Sequence, residues 1–125
     1  MTRARQSTGR LAEDLVAAHL AAAGCVILER NARTRYGELD IVALDGRTLV
    51  FVEVKGARAN TGFGPQRPIE SIGFRKQLKV RRLATAWLAE RRDLPRYSQI
   101  RFDAVGVILD AAGRPLDVER IEGAF

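Results

Sequence analysis

The spacing of hydrophobic residues along the chain predicts two long helices and five strands. Apolar residues recur at helical intervals in two segments, 9–23 and 71–91. Shorter runs rich in Val, Ile and Leu predict strands at 25–30, 38–44, 47–55, 99–109 and 116–121. The order αβββαββ predicts an α/β fold, with a mixed β-sheet of about five strands flanked by helices. We expect one domain that covers residues 1–125.

Turn and cap residues indicate where these elements end. Ser7 and Thr8 are candidate N-caps for the first helix, and Gly24 is its candidate C-cap. Residues 31–36 would continue the first strand, as strand or as loop. The segment 56–68 contains three glycines and two prolines, so we expect a loop there.

The dipeptide Asp45-Gly46 lies between two predicted strands and indicates a tight hairpin. A two-residue loop made by this dipeptide would fix the register of the two strands. Asp40 would then lie opposite Phe51, and Glu38 would lie opposite Glu53. The hairpin is therefore expected to bring acidic residues of two strands together.

Side chains alternate along a strand, so the hairpin is expected to have one charged and one apolar face. The charged face would carry Glu38, Asp40, Phe51, Glu53 and Lys55. The apolar, core-facing side would carry Leu39, Ile41, Val50, Val52 and Val54. Asp40 and Glu53 would be diagonal neighbours, about 7–8 Å apart at the backbone. Both side chains could then reach one ion.

Carboxylates gathered in this way repel each other. At about 5 Å and an effective dielectric constant near 20, one pair costs about 3 kcal/mol. Lys55 would offset part of this cost and a divalent cation more, and Mg²⁺ or Mn²⁺ suits all-oxygen ligands. The alternative is an ordinary solvent-facing side of a hairpin, where such charges are common. Apolar neighbours such as Phe51 favour a covered face instead.

The two helices supply further charged candidates. Glu13 aligns with the apolar residues of the first helix, while a surface pair with Arg10 fits the spacing equally well. Lys76 lies in the first turn of the second helix, on its core-facing side. The basic stripe of that helix, which is either a phosphate-binding or a solvated surface, consists of Arg75, Lys79 and Arg82. Asp103 is interpreted as a structural partner of Arg101, with a place near the site as the alternative.

Composition narrows the class of partner and the location. The net charge of +6 and the pI of about 10.4 favour a polyanionic partner such as nucleic acid. Cys25 is the only cysteine, which excludes an intrachain disulfide and favours a reducing, cytoplasmic location. The first residues lack the pattern of a secretory signal, and no apolar run has the length of a membrane span. We therefore expect no membrane partner.

These motifs, taken in order, resemble those of a known family. Glu13 on a helix, Asp40 on a strand and Glu53-Val54-Lys55 on the next strand resemble the PD-(D/E)xK nuclease superfamily, which includes restriction endonucleases and archaeal Holliday-junction resolvases. The chain is more closely similar to the YraN family, resolvase-like bacterial proteins of uncharacterised function. The matching residues are Gly9, Arg10 and Glu13, Asn31-Ala32-Arg33, Gly37-Glu38-Leu39-Asp40, Phe51-Val52-Glu53-Val54-Lys55, Lys76, Arg101-Phe102-Asp103 and Ala124-Phe125.

The resemblance implies a restriction-endonuclease-like core and a Mg²⁺- or Mn²⁺-dependent nuclease that acts on DNA. The implied catalytic residues are Glu13, Asp40, Glu53, Lys55 and Lys76. The implied metal ligands are Asp40, Glu53, Glu13 and Glu38, with the main-chain carbonyl of Val54 as a further ligand. Glu38 would either join this shell or hold a neighbouring arginine. The implied nucleic-acid-binding residues are Arg33, Arg35, Arg58, Arg75, Lys79 and Arg82.

Two positions depart from the pattern of similar proteins. Leu39 stands where many members of the superfamily have a proline before the aspartate. Ala57 stands where family members usually have a basic residue, and Arg58 follows it.

A nuclease that cuts two strands symmetrically would call for a homodimer. The competing functions are a non-catalytic nucleic-acid-binding module and an accessory subunit of a DNA repair or recombination assembly.

Overall fold

The chain folds into two long helices and one five-stranded sheet, in the order that the sequence predicts. A computed structural model describes residues 3–59 and 67–125. Most of the predicted loop 56–68 lies outside the described residues. The elements are α1 (Arg3–Ala22), β1 (Val26–Thr34), β2 (Gly37–Asp45), β3 (Thr48–Arg58), the 3-10 helix η1 (Pro68–Ser71), α2 (Phe74–Glu90), β4 (Gln99–Leu109) and β5 (Pro115–Ile121).

The five strands form a single mixed sheet in the order β1-β2-β3-β4-β5. The first three strands run antiparallel as consecutive hairpins. Strand β4 runs parallel to β3, and the connection between them contains α2. Strand β5 then pairs antiparallel with β4. The predicted α/β fold with a restriction-endonuclease-like core is confirmed.

The two helices pack on different apolar clusters of the sheet. Helix α1 contributes Ala12, Val16, Ala17 and Leu20 to a cluster with Ile41, Ala43, Val50, Val52, Val54, Val105, Val107 and Leu109. Helix α2 contributes Val80, Leu83, Ala84 and Trp87 to a cluster with Ala32, Leu39, Val42, Leu49 and Phe51. The side of the hairpin that carries Phe51 is thus covered by α2, as the sequence predicts. Both clusters exclude water, which is the main source of stability for such a layered fold.

The ends of α1 differ in how well the sequence predicts them. Gly24 is the C-cap, with φ +99, and the adjacent N–H groups bond back to the last turn: Gly24 N to Ala21 O at 3.0 Å and Cys25 N to Leu20 O at 3.0 Å. The predicted start is wrong because α1 begins at Arg3, so Ser7 and Thr8 lie inside the helix.

Strand β3 is longer than the sequence predicts. Its pairing with β4 continues to Arg58, which lies beside Leu109, so the first three residues of the predicted loop 56–68 are strand. Gly56 is the reason that helix and strand can approach here. A Cβ on Gly56 would lie 2.8 Å from the Cβ of Ala12 on α1.

The register of the β2–β3 hairpin differs by two residues from the predicted register. Asp45 pairs with Thr48, and Gly46, with φ +62, takes the first position of the loop. Val42, rather than Asp40, therefore lies opposite Phe51. A shift of two keeps the side chains from Ile41 to Glu53 on their predicted faces, because the faces alternate with a period of two.

Leu39 is an exception to that alternation. The sequence predicts that it shares a face with Ile41, yet it packs in the α2 cluster and Ile41 in the α1 cluster. On the neighbouring strand, Asn31 lies between the residues that pair with Ile41 and Leu39, and it has φ +50. This left-handed residue interrupts the regular ladder beside Asp40.

Asp103 has a structural role, which is the interpretation that the sequence favours. It is completely buried and accepts four hydrogen bonds. Arg101 donates two at 2.8 and 3.0 Å, Arg120 donates one at 3.3 Å, and the main-chain N–H of Gly123 donates one at 3.0 Å. The carboxylate thereby joins β4, β5 and the C-terminal segment.

Neither helix in the described parts of the chain combines the length and the hydrophobicity that crossing a bilayer requires.

Candidate active site

Strands β2 and β3 separate at the acidic residues. Their pairing ends at Ile41 and Val52, although β2 continues beside β1 back to Gly37 and β3 continues beside β4 as far as Arg58. Asp40 and Glu53 are the next residues on the two sides of this fork. They therefore face each other directly, and not along the predicted diagonal.

The opening of the fork frees a backbone group that Asp40 then satisfies. The N–H of Val54 donates to Oδ2 of Asp40 at 2.8 Å. Because the N–H and C=O of one residue in an extended strand point to the same side, the carbonyl of Val54 also faces the fork. Asp40 thus lies close to the plane of the sheet, where both helical layers can reach it.

The two carboxyl groups of the fork contact each other and are hard to ionise together. Glu53 is only 7% exposed, and burial, followed by the charge of Asp40, raises its pKa to about 7. Burial also raises the pKa of Asp40, against the opposing effect of the Val54 N–H and of a hydrogen bond from Glu53. The pair is therefore partly protonated near neutral pH.

Helix α1 adds a third carboxyl group from its own side of the sheet. Glu13 is half-buried, next to the completely buried Ala12. Burial raises its pKa to about 7, and the charge of Asp40 is the next cause; Arg30 acts in the opposite direction. The structure thus favours the inward-facing position of Glu13 over a surface position.

Two lysines accompany the acids. The Nζ of Lys76, in the first turn of α2, lies 3.4 Å from Oε1 of Glu53, and its side chain is about half exposed. Its ammonium group lowers the pKa of both fork carboxyls, although less than burial raises the pKa of each. Lys55 is exposed two residues beyond Glu53, at the open end of β3.

Glu38 lies at the outer margin of the site. It is exposed, it pairs across the sheet with Arg33, and its charge contributes to the raised pKa of Glu13. Within residues 3–59 and 67–125, no three acidic, histidine or cysteine side chains stand close enough together to hold one ion. The oxygen donors that do converge are those of Asp40 and Glu53, with the Val54 carbonyl.

These donors fit a hard divalent cation. Mg²⁺ is commonly held by one or two carboxylates, with water and substrate phosphate completing its coordination. A cation bound there would displace the protons that the pair holds. The charges of Asp40 and Glu38 both raise the pKa of Glu13, so these acids influence one another electrostatically.

The predicted nucleic-acid-binding residues fall into two groups. Those that are exposed around α2 and the β1–β2 turn are Arg33, Arg35, Arg75, Lys79 and Arg82. Arg58 differs because its guanidinium donates to Thr8 Oγ1 at 2.9 Å and to the carbonyls of Asp110 and Ala111 at 3.2 and 2.9 Å. These bonds tie α1 to the β4–β5 turn and leave Arg58 little capacity for a phosphate.

Two features of this region are not evident from sequence patterns. The Val54 N–H bond to Asp40 depends on where β2 and β3 separate, which no local pattern reveals. Tyr36, in the β1–β2 turn, lies with its ring centre 4.4 Å from the guanidinium of Arg82. A tyrosine between arginine and glycine, just before Gly37-Glu38-Leu39-Asp40, was the available signal.

Known proteins similar to this chain share its full length. A family model described as uncharacterised protein family UPF0102 matches residues 12–107. A UPF0102 protein of Frankia alni is 47% identical over 123 residues, 98% of each chain. One of Moorella thermoacetica is 46% identical over 125 residues, 100% of each chain, and one of Nocardia farcinica is 45% identical over 121 residues, 97% of this chain and 91% of its own.

Proposed function

The chain belongs to the uncharacterised family UPF0102, the YraN family that its motifs indicate, and from this premise we propose that it is a metal-dependent nuclease that hydrolyses phosphodiester bonds in DNA. Branched DNA and repair or recombination intermediates are the candidate substrates. The observation that carries the proposal is the facing pair of Asp40 and Glu53 at the fork, with Lys76 beside it.

The energetic cost of this pair supports a catalytic use. Two contacting carboxyls with raised pKa values destabilise the fold when both are ionised. A protein that only binds nucleic acid gains nothing from such a pair, because negative charge repels the phosphates. Perturbed carboxyls gathered with a lysine are instead typical of catalytic sites.

Each group of the site has a distinct role in this proposal. Asp40, Glu53 and the Val54 carbonyl would hold Mg²⁺ or Mn²⁺, and Glu13 would complete the site directly or through water. The ion supplies Lewis-acid polarisation of the phosphodiester and a lowered pKa for bound water. Lys55, exposed at the open end of β3, would orient the attacking water and stabilise negative charge in the transition state.

Lys76 has two partners in this scheme. In the free protein its ammonium group neutralises part of the charge of Glu53, at 3.4 Å. When a cation takes over that neutralisation, Lys76 is free to contact a phosphate oxygen of the substrate. The exposed arginines and lysines around α2 would hold the remaining phosphates without reading base sequence.

A second candidate function is an accessory subunit in a DNA repair or recombination assembly. Phe74 is 72% exposed and Leu78 is 51% exposed, and the two lie one turn apart on α2. Apolar side chains exposed together on a helix face favour contact with another protein. This role is compatible with catalysis and does not use the acidic pair.

Cleavage of linear, nicked and four-way-junction DNA in Mg²⁺ or Mn²⁺ tests the proposal. We expect Asp40→Asn to abolish cleavage and Lys55→Met to reduce its rate by about 100-fold or more. Asp117→Asn, which alters an exposed acid on β5, is the matched control and should cut as the wild type does. If the wild type binds DNA in a salt-sensitive way but cuts none of these substrates, the protein is a binding module.

A further inference from the structure

A cleft on the α2 side of the sheet contains an exposed tyrosine that two arginines approach. The cleft has a volume of about 430 Å³ and lies between the β1–β2 turn and α2. Tyr36 is 48% exposed, with the guanidinium of Arg82 4.4 Å and that of Arg35 5.7 Å from its ring centre. Glu90 lies at the end of the cleft nearest the C-terminus of α2.

We propose that this cleft binds an unpaired nucleobase, so that the substrate is a nucleic acid with single-stranded nucleotides next to the bond that is cut. The proposal rests on the nuclease function for the cut itself, but base binding in the cleft needs no catalysis. It names a substrate class that the acidic pair alone does not specify.

The turn that carries Tyr36 is held in place before any ligand arrives. The hydroxyl of Thr34 donates to the carbonyl of Gly37 at 2.9 Å and accepts from the N–H of Tyr36 at 3.1 Å. The N–H of Arg35 donates to Oε2 of Glu90 at 3.1 Å, which fixes the turn against α2. A fixed aromatic ring loses little entropy when a base stacks on it.

The chemistry of the lining suits a base better than a phosphate. Aromatic rings and guanidinium planes are the surfaces on which unpaired bases stack. The carboxylate of Glu90 repels phosphate, but it can accept a hydrogen bond from the amino group of a base. An aromatic ring, two guanidinium groups and one carboxylate together therefore indicate a nucleobase subsite.

A row of cations connects the cleft with the acidic pair. Lys76, Lys79 and Arg82 follow one another at intervals of three residues on α2, a helical distance of about 9 Å. Lys76 contacts Glu53 at one end, and Arg82 covers Tyr36 at the other. The alkyl chain of Lys79 lies between them, next to Gly37.

The β1–β2 turn and strand β2 give a comparable span from the other side. Tyr36 precedes Asp40 by four residues, at most about 13 Å along the chain, a distance that a few nucleotides cover. A single strand with its phosphates along the cation row would then place a base in the cleft while a nearby phosphodiester reaches the acidic pair.

Binding measured in EDTA separates this inference from the nuclease proposal. The probes are a short fluorescein-labelled single-stranded DNA, the same strand with abasic sites, and a blunt duplex of equal length, titrated at one fixed salt concentration. Fluorescence anisotropy gives the affinity of wild type and variants for each. The abasic strand keeps the phosphates and lacks the bases, so it isolates the contribution of the cleft.

We expect Tyr36→Ala to weaken binding of the single strand about tenfold, the effect of losing one base stack, and to leave binding of the duplex and of the abasic strand nearly unchanged. Tyr36→Phe should bind as the wild type does. Arg82→Lys keeps the positive charge but loses the planar guanidinium group. This variant should selectively weaken binding of the single strand. Tyr97→Ala, at a second exposed tyrosine, is the matched control and should change nothing.

Three results would overturn the inference. They are equal losses of single-stranded and duplex binding in Tyr36→Ala, no loss in either, and a wild type that does not distinguish the intact from the abasic strand. None of these outcomes bears on metal-dependent cleavage, which the Asp40→Asn experiment tests independently.

Discussion

At the scale of single residues, the protein maintains a carboxyl pair that opposes its own stability. Glu53 is buried against Asp40, and Lys76 and the N–H of Val54 offset part of the cost. Functional sites commonly carry such unfavourable arrangements, because removal of the strain would remove the activity. The cost should be visible in the pH dependence of folding.

Glu53→Gln should stabilise the metal-free protein at alkaline pH. The pKa of Glu53 is raised from 4.5 to about 7, so the folded state binds more protons than the unfolded state between these values. The stabilisation from the protonated form is complete below about pH 4.5 and is lost as the pH rises through about 7. Near pH 8.5 the variant should exceed the wild type in stability by up to about 3 kcal/mol.

Urea denaturation in EDTA, near pH 5 and near pH 8.5, measures this difference. The gain of Glu53→Gln should be small at the lower pH and clear at the higher one. Glu119→Gln is the control, because its ion pair with Arg67 lowers the pKa of Glu119 and removal of the charge should not stabilise. A Glu53→Gln protein that is less stable than the wild type near pH 8.5 would show that the ionised pair is not destabilising.

At the scale of secondary-structure elements, the site depends on how closely α1 approaches β3. Gly56 permits this approach, since a Cβ there would meet the Cβ of Ala12 at 2.8 Å and the carbonyl of Thr8 at 3.2 Å. Neither atom can move away without a shift of the helix backbone. Helix α1 also carries Glu13, so the same contact determines the position of the third carboxyl group of the site.

Gly56→Ala should therefore destabilise the protein by about 1–3 kcal/mol, as overpacking of a close contact does. Gly9→Ala is a control in α1 itself. Apart from the backbone of α1 itself, no atom of the described residues lies within 4 Å of the added Cβ. Alanine also favours the helix, so this variant should be as stable as the wild type or slightly more so. Thermal and urea unfolding measure the stability of both variants relative to the wild type. Equal stability of the two would contradict the role given to Gly56.

The sequence predicts the elements far better than it predicts how they meet. Strand β4 is predicted with its observed ends, and the face of Glu53 is predicted despite the wrong register, because a shift of two residues does not change the face. The register itself depends on whether Asp45 ends the strand or enters the loop. Periodicity cannot reveal this difference.

Contacts between residues that are distant in the sequence are even harder to predict from sequence patterns. The sequence suggests that Arg58 binds phosphate. In the structure its guanidinium donates hydrogen bonds to Thr8 and to the β4–β5 turn, each about fifty residues away in the chain. No sequence pattern marks Tyr36 as a candidate site residue. Its proposed role becomes evident only in the fold, where the guanidinium of Arg82 lies over its ring. Both depend on tertiary neighbours that local rules do not contain.

At the scale of the whole molecule, a cluster of acidic groups stands within a basic protein. The net charge is +6, yet acidic groups from α1, β2 and β3 converge at the fork. The exposed cations of α2 and the β1–β2 turn lie beside them. A polyanion drawn to the cations would meet the acids only if a cation neutralised them first. Divalent metal binding is therefore the central claim.

The most direct test is titration calorimetry of Mg²⁺ and Mn²⁺ into the metal-free protein near pH 7, in two buffers that differ in ionisation enthalpy. We predict binding at millimolar or lower concentration with net release of protons, because the ion displaces protons that Asp40 and Glu53 hold. Binding should vanish in Asp40→Asn and persist in Asp117→Asn. No binding by the wild type at millimolar metal, or equal binding by Asp40→Asn, would contradict the account.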